Sequence, residues 1–166
     1  SILYLQDSLT GLYNRMAYNQ LAIPLFNRCM ADGKPLAVVF MDADHLKMVN
    51  DQYGHDMGNV IISGVADAIK KCFPDDSVAM RYGGDEFVMY LKKLNIETVQ
   101  TYMKDFQKKI SHLTLSTGEQ VILSASAGGA AFPEQGEDFI SLCRSADAAL
   151  YVVKQNGKAD FKMKEM

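Results

Sequence analysis

The residues best suited to chemistry lie in the stretch Arg81-Tyr82-Gly83-Gly84-Asp85-Glu86-Phe87. Two glycines precede two carboxylates, with strand-like residues on both sides. A Gly-Gly pair between strands predicts a two-residue hairpin turn, because its central positions need positive φ. Asp85 and Glu86 are then displayed at the tip, where little side chain blocks a ligand. Carboxylates held this way suit a hard cation, and a cation suits a phosphate.

A second cluster is Phe40-Met41-Asp42-Ala43-Asp44. An apolar run delivers carboxylates to the C-terminal end of a strand, where ligand sites in sheet proteins gather. Asp42 and Asp44 share one side by the period of two, if the strand lasts that far. His45-Leu46-Lys47-Met48-Val49-Asn50-Asp51 follows, then Tyr53-Gly54-His55. This places a lysine and free backbone N–H groups at a helix start, a cradle for phosphate. Each feature also has an ordinary reading. Asp42 and Asp44 are suitable helix caps, Asp85 and Glu86 suitable solvated charges, and Lys47 a surface lysine. His55 suits local hydrogen bonding. Together, two carboxylate clusters beside apolar strands can converge on one metal pair.

The elements that must position them follow from periodicity. Apolar residues at Tyr18, Ala22, Leu25 and Cys29 predict a helix from Arg15 to Met30, kinked or divided by Pro24. Asp32–Pro35 is a turn, and Leu36–Met41 a buried strand. Helices are expected over His45–Tyr53, Asp56–Phe73, Ile96–Leu113 and Glu137–Gln155. The hairpin pairs Ser77–Tyr82 with Asp85–Leu91. Gln120–Ala130 reads as one further strand, and Phe161 with Met163 as a short last one. A hairpin inside an alternating pattern excludes an all-parallel sheet. The fold class expected is α+β, a mainly antiparallel sheet with surrounding helices, ferredoxin-like.

The chain of 166 residues suits one domain, with 48% apolar and 22% charged residues. The net charge of −3 argues against a broad nucleic-acid surface but not against a single nucleotide. Cys29, Cys72 and Cys143 are odd in number and far apart, which suits a reducing, cytoplasmic setting rather than disulfides or zinc. No apolar run approaches a membrane span, and no signal peptide is evident. Ser1 is not a natural start, so a longer protein is expected.

DSLTGLYNR (7–15), MDADHLKMVNDQYGHDMGN (41–59), RYGGDEF (81–87), SASAGGA (124–130) and ADAALYVVKQNGK (146–158) occur in this order. With these motifs the chain resembles the GGDEF domain family, the bacterial diguanylate cyclases. The resemblance implies a palm-type fold similar to nucleotidyl cyclases, and condensation of two GTP into cyclic di-GMP with release of two pyrophosphates. It implies two Mg²⁺ per active site, with Mn²⁺ as a substitute. The expected metal ligands are Asp42, the Ala43 carbonyl and Asp85. Asp85 also matches a proton acceptor, Lys47 a lysine that stabilises transition-state charge, and Glu86 an assisting carboxylate. Asn50, His55, Asn59, His45, Leu46, Gly83 and Gly84 fall at substrate-binding positions, as do Lys154 and Lys158 near the terminal phosphates. The implied partners are GTP, a second copy of the domain and an upstream sensory domain, without nucleic acid or direct membrane contact. The catalytic domain is expected over 7–166, with 1–6 the end of a connector.

The chain departs from the family pattern at Asn59, where most members have Asp, at Lys158, usually Arg, and at Leu46, usually Phe. The family's RxxD product-inhibition motif would begin nine residues before Gly83, on Pro74 and Ser77. Neither residue replaces the Arg or Asp, so no strong inhibition through this position is expected. Two alternatives stand beside the cyclase: a non-catalytic GTP- or effector-binding module, and a cyclase with relaxed purine selectivity.

Overall fold

The computed structural model describes residues 3–165. Of the expected connector 1–6, Ser1 and Ile2 lie outside the described residues. Leu3–Leu5 form a short 3₁₀ turn, and Gln6 bridges to Tyr13. Pro24 divides the first helical region, as the sequence predicts. A π-helical turn, Tyr18–Ala22, leads into α1, Ile23–Asp32, with Pro24 in its first turn, where a missing N–H costs nothing. Strand β1, Leu36–Ala43, is followed by α2, Leu46–Tyr53, and α3, His55–Cys72. Then come the hairpin β2, Val78–Arg81, and β3, Glu86–Lys92, and helix α4, Ile96–Ile110.

The single strand expected over Gln120–Ala130 is instead two. Leu113–Thr114 (β4) pairs with Gln120–Val121 (β5) in a small separate ribbon, and β6 runs from Ala125 to Phe132. Leu113 therefore belongs to the ribbon rather than to α4. Helix α5, Phe139–Gln155, and β7, Phe161–Met163, complete the chain. The main sheet has the order β2-β3-β1-β6-β7, antiparallel except for β6 with β7. It is the mainly antiparallel α+β architecture expected.

Strand β1 is central and buried on both faces. Ala37, Val39, Met41 and Ala43 face the core under α3 and α4. Leu36, Val38 and Phe40 face the core under α1 and α5. The period of two continues past Phe40, so Asp42 emerges on the α5 side. Helix α5 lies close to the sheet because Gly128, paired with Phe40, has no side chain. A Cβ there would press on the Leu150 amide and lie 2.6 Å from the Ala146 carbonyl oxygen. These are backbone atoms, so the clash cannot be relieved by rotating a side chain. Gly128→Ala is expected to destabilise the fold by about 1–3 kcal/mol or more, with a lower urea midpoint as the readout.

Candidate active site

The hairpin differs from the two-residue Gly-Gly turn expected. The described glycines with left-handed φ are Gly11, Gly33, Gly54, Gly118 and Gly157; Gly83 and Gly84 are not among them. Arg81 pairs with Phe87, the Tyr82 N–H donates to the Glu86 carbonyl at 2.8 Å, and the Glu86 N–H to the Gly83 carbonyl at 3.4 Å. The turn is thus centred on Gly84 and Asp85. A Cβ at 83 would meet only the end of the exposed Glu86 side chain, which can rotate away.

This turn carries Asp85 to the end of β1. The Ala43 N–H donates to the Asp85 carbonyl at 3.0 Å. Asp42 pairs across strands with Glu86 on one side and Ser126 on the other. Lys154, one turn beyond the buried Leu150 on α5, forms an ion pair with Asp42. The two clusters therefore meet: Asp42, Asp85, Glu86 and Lys154 share one end of the sheet. Burial, with the Asp42 charge next, raises the Asp85 carboxyl above its usual range. The hydrogen bond to Asp42, aided by the charges of Asp42, Asp85 and Glu86, raises Lys154.

Neither Asp42 nor Asp44 caps α2, whose N-cap is His45 in a left-handed conformation with no side-chain cap. Asp44 instead accepts hydrogen bonds from the Ser124 and Ser126 hydroxyls, each at 2.7 Å. These serines were missed as site residues; their spacing of two, placing both on one face, was the available signal. His45, Lys47 and Lys158 line a shallow depression with Met48, Asp51 and Gln52. Asn50 lies against Gly58, and its Oδ1 is buried without a hydrogen-bond partner among the described residues. His55 and Asn59 are exposed in the first turns of α3.

A cavity of about 400 Å³ opens beside Asp42, Glu86 and Lys154. Tyr18, Phe40, Tyr82, Tyr90, Cys143 and Arg144 are among its walls. Burial pushes the Cys143 thiol up to about 12, so it stays protonated and is no nucleophile. Among the described residues no three His, Cys, Asp or Glu side chains are gathered as a metal cage.

The raised Asp85 has a consequence for stability. An acid whose pKa is raised on folding favours the folded state while protonated. That contribution is present below its unfolded pKa of 3.8 and is lost as pH rises through the folded value. Asp85→Asn should therefore raise the urea midpoint of the metal-free chain at about pH 7, and the gain should vanish near about pH 3. An equal gain at both pH values would show that charge is not its cause.

The family model described as "Diguanylate cyclase, GGDEF domain" matches residues 4–160. The cyclic di-GMP phosphodiesterase NbdA of Pseudomonas aeruginosa is 33% identical over 152 residues, covering 92% of this chain and 19% of that protein. The diguanylate cyclase VdcA of Vibrio cholerae is 31% identical, covering 92% and 44%. The chain spans less than half the length of these curated relatives. The crystal structure of the GGDEF domain of DgcB from Caulobacter crescentus, in complex with c-di-GMP, superposes with a TM-score of 0.88 at 30% identity, covering 98% of this chain and 96% of that one. The GGDEF domain of TpbB from Pseudomonas aeruginosa gives 0.88 at 28% identity, covering 96% and 94%. The match runs through the strands, the signature hairpin and α5 alike: this chain belongs to the GGDEF domain family.

Proposed function

We propose that the chain is the catalytic domain of a diguanylate cyclase, joining two GTP molecules into cyclic di-GMP with release of two pyrophosphates. The observation that carries this reading is the convergence of Asp42, Asp85 and Glu86 with Lys154 at the end of β1. In this reading Asp42, the Ala43 carbonyl and Asp85 hold Mg²⁺. When bound, Mg²⁺ supplies the charge that acidifies the attacking 3′-hydroxyl and stabilises the departing pyrophosphate. In this reading Asp85 also accepts the hydroxyl proton. Lys154, Lys158 and Lys47 contribute ammonium charge to the phosphates, and Glu86 keeps Lys154 company at the rim. Each domain holds one GTP, so a second copy must present the other, and an upstream sensory domain would control that pairing.

The base belongs between α2 and α3. In this reading Asn50, His55 and Asn59 contact the base. Asn59 favours a second reading, relaxed purine selectivity. An aspartate can accept both N1–H and N2–H of guanine, whereas an amide offers one acceptor and one donor group. Adenine's edge pairs a donor with an acceptor, which an amide can match.

Two assays test these readings. The chain, fused to a dimerising helix, is incubated with GTP, ATP and Mg²⁺, and products are identified by mass spectrometry. Cyclic di-GMP is expected from the wild type and none from Asp85→Ala. A forced dimer that binds GTP without making any cyclic dinucleotide would leave a binding module instead. In GTP/ATP competition, Asn59→Asp should sharpen guanine preference by roughly ten- to a hundredfold; equal discrimination by both chains refutes the role of Asn59.

A further inference from the structure

The segment Asp7–Arg15 has no part in the chemistry above, yet it is tied to the hairpin. We infer that Arg15 is a positioning residue: it fixes the hairpin tip that presents Asp85, through the carbonyl and ring of Tyr82. Arg15 Nε donates to the Tyr82 carbonyl at 3.0 Å, and its guanidinium lies over the Tyr82 ring, 4.5 Å from the centroid. This inference rests on the reading of Asp85 as a reacting-site carboxylate.

The tip is poorly held by its own ladder. The two hydrogen bonds between Gly83 and Glu86 are both 3.4 Å long, at the weak end of the useful range. Gly84 is exposed, and a Cβ there would meet nothing within 4 Å, so little side-chain packing restrains it. Rigidity comes from the flanks. Arg81 holds the Gly84 carbonyl through Nε and Nη2, at 3.1 and 3.0 Å, and reaches Asp7 through Nη1. Arg15 holds the Tyr82 carbonyl on the other side of Gly83. The two guanidiniums thus bracket the glycine that starts the turn.

Arg15 can act as a strut because its own base is fixed. Tyr13, two residues earlier, pairs with β2: its N–H donates to the Ala79 carbonyl at 3.0 Å, and its carbonyl accepts from the Arg81 N–H at 2.8 Å. Asn14 closes the segment onto the start of the chain, accepting from the Met16 N–H and donating to the Tyr4 carbonyl. A planar guanidinium with a fixed Nε–H suits a combined hydrogen bond and stacking contact better than an ammonium does. The same segment thus connects the chain's N-terminal turn to the catalytic hairpin.

Arg15→Ala and Arg15→Lys are compared with the wild type, with kinetics in the dimerising fusion and amide hydrogen exchange on the unfused chain. Arg15 is exposed, so both variants should fold. Arg15→Ala should lower kcat by roughly ten- to a hundredfold through misplacement of Asp85, with KM for GTP within about twofold of the wild type. Arg15→Lys should recover part of the loss. Exchange at Gly83, Gly84, Asp85 and Glu86 should accelerate in Arg15→Ala while that of α3 is unchanged. An unchanged kcat overturns the inference. So does a fall in kcat without faster tip exchange, or faster exchange throughout the chain, which marks general destabilisation. If the wild type makes no product, the cyclase reading fails alone, and tip exchange still decides whether Arg15 holds the hairpin.

Discussion

Two carboxylates, Asp42 and Asp85, are held near each other in partly dry surroundings, and neither can withdraw. Asp42 is fixed by its strand register between Glu86 and Ser126. Asp85 is fixed by its own carbonyl, which accepts from Ala43. Their repulsion has to be met by positive charge from elsewhere, since water is partly excluded. The fold supplies it from two directions. Lys154 comes from α5 to Asp42, and Arg81 comes from β2 to the backbone beside Asp85.

The delivery of Lys154 depends on a feature far from any charge. Strand β6 is Ala125–Phe132, with Gly128 and Gly129 in its middle and no large side chain before Phe132. That smoothness lets α5 settle on the sheet along Ala146 and Leu150, and Lys154 continues the same face beyond them. The helix is started firmly by a capping box between Asp138 and Ser141, so its register on the sheet is fixed at one end. Gly128, paired with Phe40, and the cap of α5 therefore act on the electrostatics of Asp42 from a distance.

Most of this was legible in the sequence, for identifiable reasons. The unbroken apolar run of β1 and the apolar stripes of α3, α4 and α5 are strong periodic signals, and Pro24 marked the division of the first helical region. The hairpin was legible but its turn was not. Neither Gly83 nor Gly84 uses the positive φ that glycine permits, and a sequence shows only that glycine is present, not which freedom is used. The split of Gln120–Ala130 was hidden because Gln120–Val121 pairs with Leu113–Thr114 in a ribbon too short to leave a pattern. Within the site, Asp42 and Asp85 could be paired by reasoning about strands. The clasp of Ser124 and Ser126 on Asp44, and the clamp of Arg15 on Tyr82, depend on tertiary contacts over long sequence separations.

The α2–α3 region proposed to take the base and the carboxylate site stand on different supports, and this bears on how the chain can vary. Asp42 and Glu86 sit on central strands with buried residues on both faces, and Asp85 in the turn that leads into one of them. Helix α2, in contrast, has no buried residue and is begun by a left-handed His45. Asn59 is exposed on α3, and Asn50 rests in a notch that exists because residue 58 is glycine. Substitutions on α2, or at an exposed position such as Asn59 on the otherwise well-packed α3, cost little stability, because few apolar contacts are lost. A change of base preference at Asn59 can therefore arise while Asp42, Asp85 and their supporting cations stay intact. In the proposed reading, catalytic competence and nucleotide choice therefore rest on separate supports, and an intact signature hairpin says nothing by itself about which purine is bound.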